Sequence, residues 1–160
     1  MVGGQILYPL SGLKNLQPDL WRTCMDKYTL RPWVEKIVVG KLECGWHDVV
    51  FFSAVHPQKL RDAFRKVGRP PSAPMRCYQI PARSLPREKT VVMSGGPHEH
   101  TYEWYDPDRV DEYAEVPEYT LNYYRACHLE GRVPLMFHGI NQVLYKGVFN
   151  VTGLPVVEGR

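Results

Sequence analysis

Long apolar runs are missing from this sequence. No stretch approaches the roughly 18 consecutive apolar residues that a transmembrane helix needs, so no membrane-spanning segment is expected. The opening residues Met1-Val2-Gly3-Gly4 contain neither a basic segment nor a long apolar one, so no secretory signal is expected either. Together these absences predict a cytoplasmic protein without a membrane partner.

The glycine-rich signatures of common nucleotide-binding and hydrolase folds are also missing. The chain has 13 glycines, but they form no GxGxxG, no GxxxxGKS/T and no GxSxG. In those folds the glycines bring backbone N–H groups close to a phosphate or an oxyanion. Rossmann, P-loop and α/β-hydrolase chemistry are therefore disfavoured.

Cysteines are few and widely spaced. The four of them, Cys24, Cys44, Cys77 and Cys127, form no CxxC pair, which argues against a zinc ribbon and a thioredoxin-like redox motif. Each lies among apolar neighbours, so we expect buried free thiols in a reducing compartment.

The remaining composition is that of an ordinary globular domain. The chain has 160 residues, of which 44% are hydrophobic and 23% are charged. A chain of this length buries about 70% of the surface that its unfolded form exposes, so it needs no disulfide or metal to fold. We therefore expect one domain over residues 1–160.

Strands dominate the local patterns, and helices interrupt them at irregular intervals. Apolar and β-branched segments predict strands at residues 5–10, 34–42, 48–54, 75–82, 90–94, 100–105, 133–138 and 142–151. The segment 48–54 is nearly all apolar and is predicted to be central. Helical spacing and proline starts predict helices of about ten residues after Pro18, over 57–67, after Pro107 and after Pro117. This pattern predicts an α+β fold with a twisted, mostly antiparallel sheet or split β-sandwich and two or three flanking helices.

Charge is distributed unevenly, although the net charge is only +3. Residues 58–87 contain eight lysines and arginines against one acid, Asp62, whereas residues 99–118 contain eight acids against Arg109. One interpretation is two solvated faces that attract each other. The other is a basic rim that receives a phosphate-bearing ligand.

Two histidines flank a glutamate at His98-Glu99-His100. Side chains alternate along an extended segment, so both imidazoles would lie on one side. With His138 or Glu103 as a third ligand, they could hold a divalent metal. The alternative interpretation is an exposed polar hairpin.

The junction between residues 48–54 and the next helix is the best candidate site. Ser53 ends the apolar segment, and His56-Pro57 opens the helix. In one interpretation these side chains cap the helix. In the other, they converge with the helix N-terminus on a cleft that can accept an anion.

The order of several short segments resembles that of a known family. Leu7-Tyr8, Phe51-Phe52-Ser53, Ile80-Pro81-Ala82-Arg83-Ser84-Leu85 and Leu144-Tyr145-Lys146-Gly147 follow one another as in small ADP-ribosyltransferase-like domains and a related family of small bacterial domains of unknown function. The chain departs from that pattern at two positions. Pro9 stands where an NAD-contacting His or Arg is expected, and Gln142 stands near the position of the catalytic Glu of active transferases.

The resemblance implies a cleft for a nucleotide-like small molecule, with NAD as the cofactor. Tyr8, Ser53 and Tyr145 would line the nicotinamide pocket, and Arg61 or Arg65 would meet the pyrophosphate. Ser53, His56 and Gln142 are the catalytic candidates that it implies. An active protein would transfer ADP-ribose from NAD to a macromolecular acceptor, either a protein or a nucleic acid.

Two alternatives stay open beside this transferase. One is a non-catalytic binding or interaction module, and the other is a metal-dependent domain that uses His98, His100 and His138. A carboxylate across the cleft from Ser53 would favour an enzyme, and the candidates are Glu103, Glu118 and Glu158. If only Gln142 lies there, binding is favoured, because an amide cannot stabilise the positive charge of an oxocarbenium-like transition state.

Overall fold

Short strands and helices alternate irregularly along the chain. The structure is a computed structural model that describes residues 5–69, 74–95 and 99–159. Within those residues the strands are β1 (Ile6–Leu7), β2 (Val38–Val39), β3 (Cys44–Gly45), β4 (Val49–Ser53), β5 (Met75–Tyr78), β6 (Thr90–Gly95), β7 (His100–Trp104), β8 (Gln142–Lys146), β9 (Phe149–Asn150) and β10 (Val156–Gly159). The α-helices are α1 (Leu10–Leu16), α2 (Pro18–Asp26), α3 (Pro57–Lys66), α4 (Val110–Tyr113) and α5 (Glu118–Leu129).

A four-stranded antiparallel sheet, in the order β4-β8-β6-β7, forms the centre of the fold. Three antiparallel pairs surround it, namely β1 with β9, β2 with β3, and β5 with β10. The predicted α+β class with a mostly antiparallel sheet is confirmed. The described residues form five α-helices, one of only four residues, where two or three flanking helices were predicted.

Both faces of the central sheet are covered. Side chains alternate along each strand, so neighbouring residues of β8 face opposite ways. Leu144 packs in one cluster with Val39, Leu42, Val49, Val91 and Met93. Val143 and Tyr145 pack in a second cluster, on the other face, with Leu85, Val92, Tyr105 and Tyr113.

The predicted central position of residues 48–54 is wrong, because β4 lies at the edge of the sheet. Its apolar composition has another cause. Phe51 packs against the first cluster and Phe52 against the second, so the strand is covered on both faces although only β8 pairs with it.

Helix α3 forms where it was predicted, and it packs against α5. The Phe64 and Tyr124 rings stack with centroids 4.4 Å apart, and Tyr124 is fully buried. This contact places α5 beside the segment that precedes β8.

Five predicted strands are wrong in extent or type. Residues 75–82 form a strand only as far as Tyr78, and residues 142–151 divide into β8 and β9. Residues 5–10 contribute only the two residues of β1, and α1 follows them at once. Residues 34–42 form mostly 3-10 turns around the two residues of β2. Residues 133–138 form no strand, because α5 side chains take the backbone hydrogen bonds of this segment.

Two ion pairs join the basic and the acidic stretches of the chain. Lys59 Nζ lies 3.4 Å from Glu115 Oε1, and Arg83 pairs with Asp108. These contacts support two mutually attracted faces, although exposed pairs of this kind contribute only about 0–1 kcal/mol each. Within the described ranges, no helix has the length and apolar character needed to cross a membrane.

Candidate ligand-binding cavities

A cavity of about 410 Å³ opens where β4 ends and α3 begins. We call it the first cavity. Apolar side chains from several separate elements form most of its wall: Leu7, Phe51, Phe52, Val55, Leu60, Ile80, Leu85, Tyr105, Val110, Phe137, Val143 and Val157. The strand-to-helix junction therefore faces an accessible space.

Ser53 and His56 both line the first cavity, and both also hold the backbone of the junction. Ser53 Oγ accepts a hydrogen bond of 3.1 Å from the Val55 N–H. His56 Nδ1 accepts one of 3.1 Å from the Gln58 N–H and so caps α3. The capping interpretation is therefore confirmed for His56 only, because Ser53 bonds to the turn that precedes α3. These two bonds leave the Ser53 hydroxyl proton and the His56 Nε2–H as donors.

The first cavity has an uncharged wall. Among its described lining residues there is no Asp, Glu, Lys or Arg, and the polar groups are mainly those of Ser53, His56 and Gln79. Cys77 also contributes to the wall. The expectation of four buried thiols is correct only for Cys127, because Cys24 and Cys44 are partly buried and Cys77 is exposed. Desolvation still raises the pKa of the Cys77 thiol.

The two arginines predicted to meet a pyrophosphate do not line this cavity. Arg61 is buried under β10, and a Cβ added to Gly159 would lie 2.6 Å from its Cδ. Arg65 is half exposed and pairs with Asp62 at 2.8 Å on the surface of α3.

The two tyrosines predicted to line a nicotinamide pocket are also absent from the first cavity's wall. Leu7 lines it, but the neighbouring Tyr8 does not. Tyr145 is buried in the core beneath the sheet, where its ring meets that of Phe149 edge-on at 5.5 Å.

Gln142 is the direct cross-strand partner of Ser53. The three carboxylates considered as alternatives are engaged elsewhere: Glu103 with Arg109 at 3.0 Å, Glu118 with Arg125 at 3.0 Å and Glu158 with Arg76 at 3.1 Å. None of them lines the first cavity in the described part of the chain. Gln142 is also missing from that wall, so among the described residues neither a carboxylate nor this amide lines the first cavity opposite Ser53.

A second cavity, of about 430 Å³, shares one wall residue with the first. That residue is Phe137, which lines both spaces. The other side chains of the second cavity include Arg31, Trp33, Trp46, His100, His138 and Gln142. The ring of Trp46 stacks on that of His100, with centroids 5.8 Å apart.

The loop 135–140 stands between the two cavities, and α5 holds it in place. Thr120 Oγ1 donates to the His138 carbonyl at 3.0 Å, and the Leu135 N–H donates to Tyr123 Oη at 3.0 Å. The hydroxyls of Tyr119 and Tyr124 bond to the carbonyls of Gly139 and Met136. Four side chains of one helix thus position the shared wall.

The structure places two of the three predicted metal ligands in the second cavity. His100 and His138 both line it, whereas His98 lies outside the described residues. The His138 ring stacks on Tyr123 at 3.8 Å, and burial lowers its pKa. Among residues 5–69, 74–95 and 99–159 no group of three or more His, Cys, Asp or Glu side chains could hold a metal ion.

No family model matches the chain, and no curated protein or solved structure matches it. Sequence reasoning located the first cavity through Ser53 and His56 but missed the second. Trp33 and Trp46 lie in short 3-10 turns, and Phe137 lies in a loop that was predicted to be a strand. No short-range spacing connects these residues, so the only signal was the abundance of aromatic residues.

Proposed function

We propose that this protein is a binding module whose first cavity takes a small, uncharged and largely apolar molecule. The observation that carries the proposal is the cavity's wall, which is apolar over most of its area and has no charged side chain among the described lining residues. Sites for small molecules commonly combine such a wall with a few polar groups that orient the ligand.

The polar groups support a ligand with one hydrogen-bond acceptor. The backbone N–H of Val55 occupies one lone pair of Ser53 Oγ, and the N–H of Gln58 occupies His56 Nδ1. In its neutral form His56 then carries its proton on Nε2. Both side chains can donate from the same end of the cavity, as a ligand carbonyl or hydroxyl oxygen requires.

The lack of a cationic side chain among the described lining residues argues against an anionic ligand in this cavity. The pyrophosphate of a dinucleotide is negatively charged, and an anion that leaves water without a paired cation loses several kcal/mol. Arg61 and Arg65 do not line the space. Transfer of ADP-ribose from NAD, with a protein or nucleic-acid acceptor, therefore stays a prediction with less support. A cytoplasmic location also stays a prediction, and the cavity does not bear on it.

Protection of Cys77 tests the proposal directly, because this exposed thiol lines the first cavity. The probe is N-phenyl-1-naphthylamine, a neutral apolar fluorophore, and the readout is the rate of Cys77 alkylation by iodoacetamide. At about ten times its Kd the probe should slow alkylation about tenfold, because only the free protein reacts. A Cys77→Ser variant identifies the contribution of the other thiols.

Two controls make the result specific. The sulfonated analogue 8-anilinonaphthalene-1-sulfonate has the same rings with a negative charge, and it should protect Cys77 much less. Ala82→Trp should fill the cavity and abolish protection, whereas Ala126→Trp on the exposed surface of α5 should not. Equal protection by both probes, or no protection by either, would overturn the proposal.

The NAD prediction has a separate test. Calorimetric titration of the folded protein with NAD should show no binding at millimolar concentration if the uncharged wall decides affinity. Heat of binding that disappears in Ser53→Ala would restore the cofactor hypothesis and displace the proposal made here.

A further inference from the structure

The second cavity has a different chemical character from the first. Arg31 is the one charged side chain among its described lining residues, and no carboxylate joins it there. The indole rings of Trp33 and Trp46 and the ring of Phe137 supply apolar and aromatic surface. A cation and several flat rings therefore share one space.

Arg31 is held in place without being neutralised. One guanidinium nitrogen, Nη2, donates to the Lys27 carbonyl at 3.2 Å, and the group lies 5.7 Å from the centroid of the Tyr28 ring. Arg31 forms no salt bridge with any residue that the structure describes. A guanidinium has five N–H donors in a planar fork, so most of them stay available for a bidentate anion.

The aromatic part of the wall is open to a ligand. Trp33 is 49% exposed and Phe137 is 37% exposed, so part of each side chain is accessible to a ligand. Trp46 already stacks on His100, and its ring also lies 4.7 Å from that of Phe51, which lines the first cavity. Flat apolar ligands gain both buried area and ring contacts on such a surface.

Polar groups complete the wall. Gln142 offers an amide that can both donate and accept, and His138 offers an imidazole. Burial lowers the pKa of His138, so at neutral pH it adds no second positive charge. A ligand with one anionic group and one further polar edge would satisfy this set.

We propose that the second cavity is a binding site for a planar aromatic molecule that carries an anionic group, with Arg31 pairing the anion and Trp33 and Trp46 contacting the ring. This proposal does not rest on the function proposed for the first cavity, although the two cavities share Phe137. A carboxylate and a phosphate share the chemistry, so the test uses one probe of each kind.

Matched ligands separate the contribution of the aromatic ring to binding from that of the negative charge. Calorimetric titration compares indole-3-acetate with indole-3-ethanol, which keeps the ring, and with acetate, which keeps the charge. Adenosine monophosphate and adenosine form the second pair. We expect at least one anion to bind about tenfold or more tightly than its neutral partner, and acetate alone not to bind.

Matched variants connect binding to this cavity. Arg31→Gln should lower affinity for the anion to that of the neutral analogue, whereas Arg22→Gln, at an exposed pair on α2, should change nothing. Trp33→Leu should weaken both members of a pair equally, and Trp104→Leu should not. Thermal unfolding of each variant verifies that it folds.

Each outcome decides the proposal. Tighter binding of the carboxylate alone, or of the nucleotide alone, supports it and identifies the anion. Equal binding of neutral and anionic partners, affinity unchanged in Arg31→Gln, or no binding of any probe to the folded protein overturns it. Cys77 protection in the first cavity is measured separately, so failure there leaves this result intact.

Discussion

Ser53 and Gln142 are direct cross-strand partners of β4 and β8, yet they line different cavities. Ser53 also ends an edge strand, whereas Gln142 begins a central one that pairs on both sides. One pair of neighbouring residues therefore provides a separate probe for each site.

Substituting each of these two residues should weaken binding in the cavity that it lines and leave binding in the other cavity unchanged. Ser53→Ala should weaken N-phenyl-1-naphthylamine binding and reduce the free energy of unfolding by about 1 kcal/mol, because the Val55 N–H loses its acceptor. Gln142→Ala should leave that probe unaffected but weaken the aromatic anion. Fluorescence titration and calorimetry measure the two effects, and identical profiles for both variants would contradict two separate sites.

The cap of α3 can be separated from ligand binding at His56. His56→Ala should lower the free energy of unfolding by about 1 kcal/mol, because the Gln58 N–H loses its partner. His56→Asn restores a good N-cap but lacks Nε2–H, so it should regain stability without regaining affinity in the first cavity. Urea unfolding and probe titration measure the two properties. Full affinity in His56→Asn would exclude His56 as a ligand donor.

Gly139 should tolerate no side chain. Its φ is +71°, and an added Cβ would lie 2.1 Å from Cε2 of Tyr119, whose hydroxyl is bonded to the Gly139 carbonyl. We expect Gly139→Ala to cost about 2–4 kcal/mol from backbone strain and overpacking. Gly153 has a similar φ of +73° but an open surrounding, so Gly153→Ala should cost only about 1 kcal/mol. Chemical denaturation measures the free energy of unfolding of both variants. Equal losses would show that backbone strain, and not the contact with Tyr119, causes the effect.

Stability should fall in mild acid because of His138. Burial lowers its pKa from the ordinary 6.5, so the unfolded chain takes up a proton more readily than the folded one. The free energy of unfolding should therefore be highest above pH 6.5, decrease as the pH falls below it, and level off below the lowered folded pKa. His138→Phe keeps the ring stack on Tyr123 and should reduce this slope, which urea unfolding at a series of pH values measures.

Phe137 should affect both cavities at once, since it lines both. Phe137→Ala removes part of each wall and should weaken both the neutral probe and the aromatic anion. Its effect on stability should be smaller than that of a core phenylalanine, because the ring is 37% exposed. Titration of the variant with each ligand checks this, and an effect on only one ligand would show that the ring matters to only one site.

Sequence patterns predicted best the helices and strands whose ends are marked by local signals, such as a cap or a first-turn proline. Helix α3 has a cap at His56, a proline in its first turn and apolar residues on one face, and it forms where expected. Residues 133–138 carry apolar side chains without such signals. Hydroxyls of α5, distant in sequence, bond to this backbone instead of a neighbouring strand.

The candidate site shows the same contrast between features set by neighbouring residues and features set by distant contacts. Ser53 and His56 are three residues apart, and the junction they form could be read from the order of residues. The positions of Arg61 and Tyr145 could not, because each depends on contacts with β10 or with the core of the sheet. Neither Arg61 nor Tyr145 lines the first cavity.

The sequence by itself determined the α+β class, the helix that starts after His56 and the polar junction at Ser53, because these depend on interactions between residues close in the chain. Only the tertiary structure decided that β4 lies at the sheet edge, that Gln142 faces Ser53, and that Arg31 and Trp46 share a cavity. Those arrangements arise from strand order and from packing between distant segments, which no local pattern of residue types encodes.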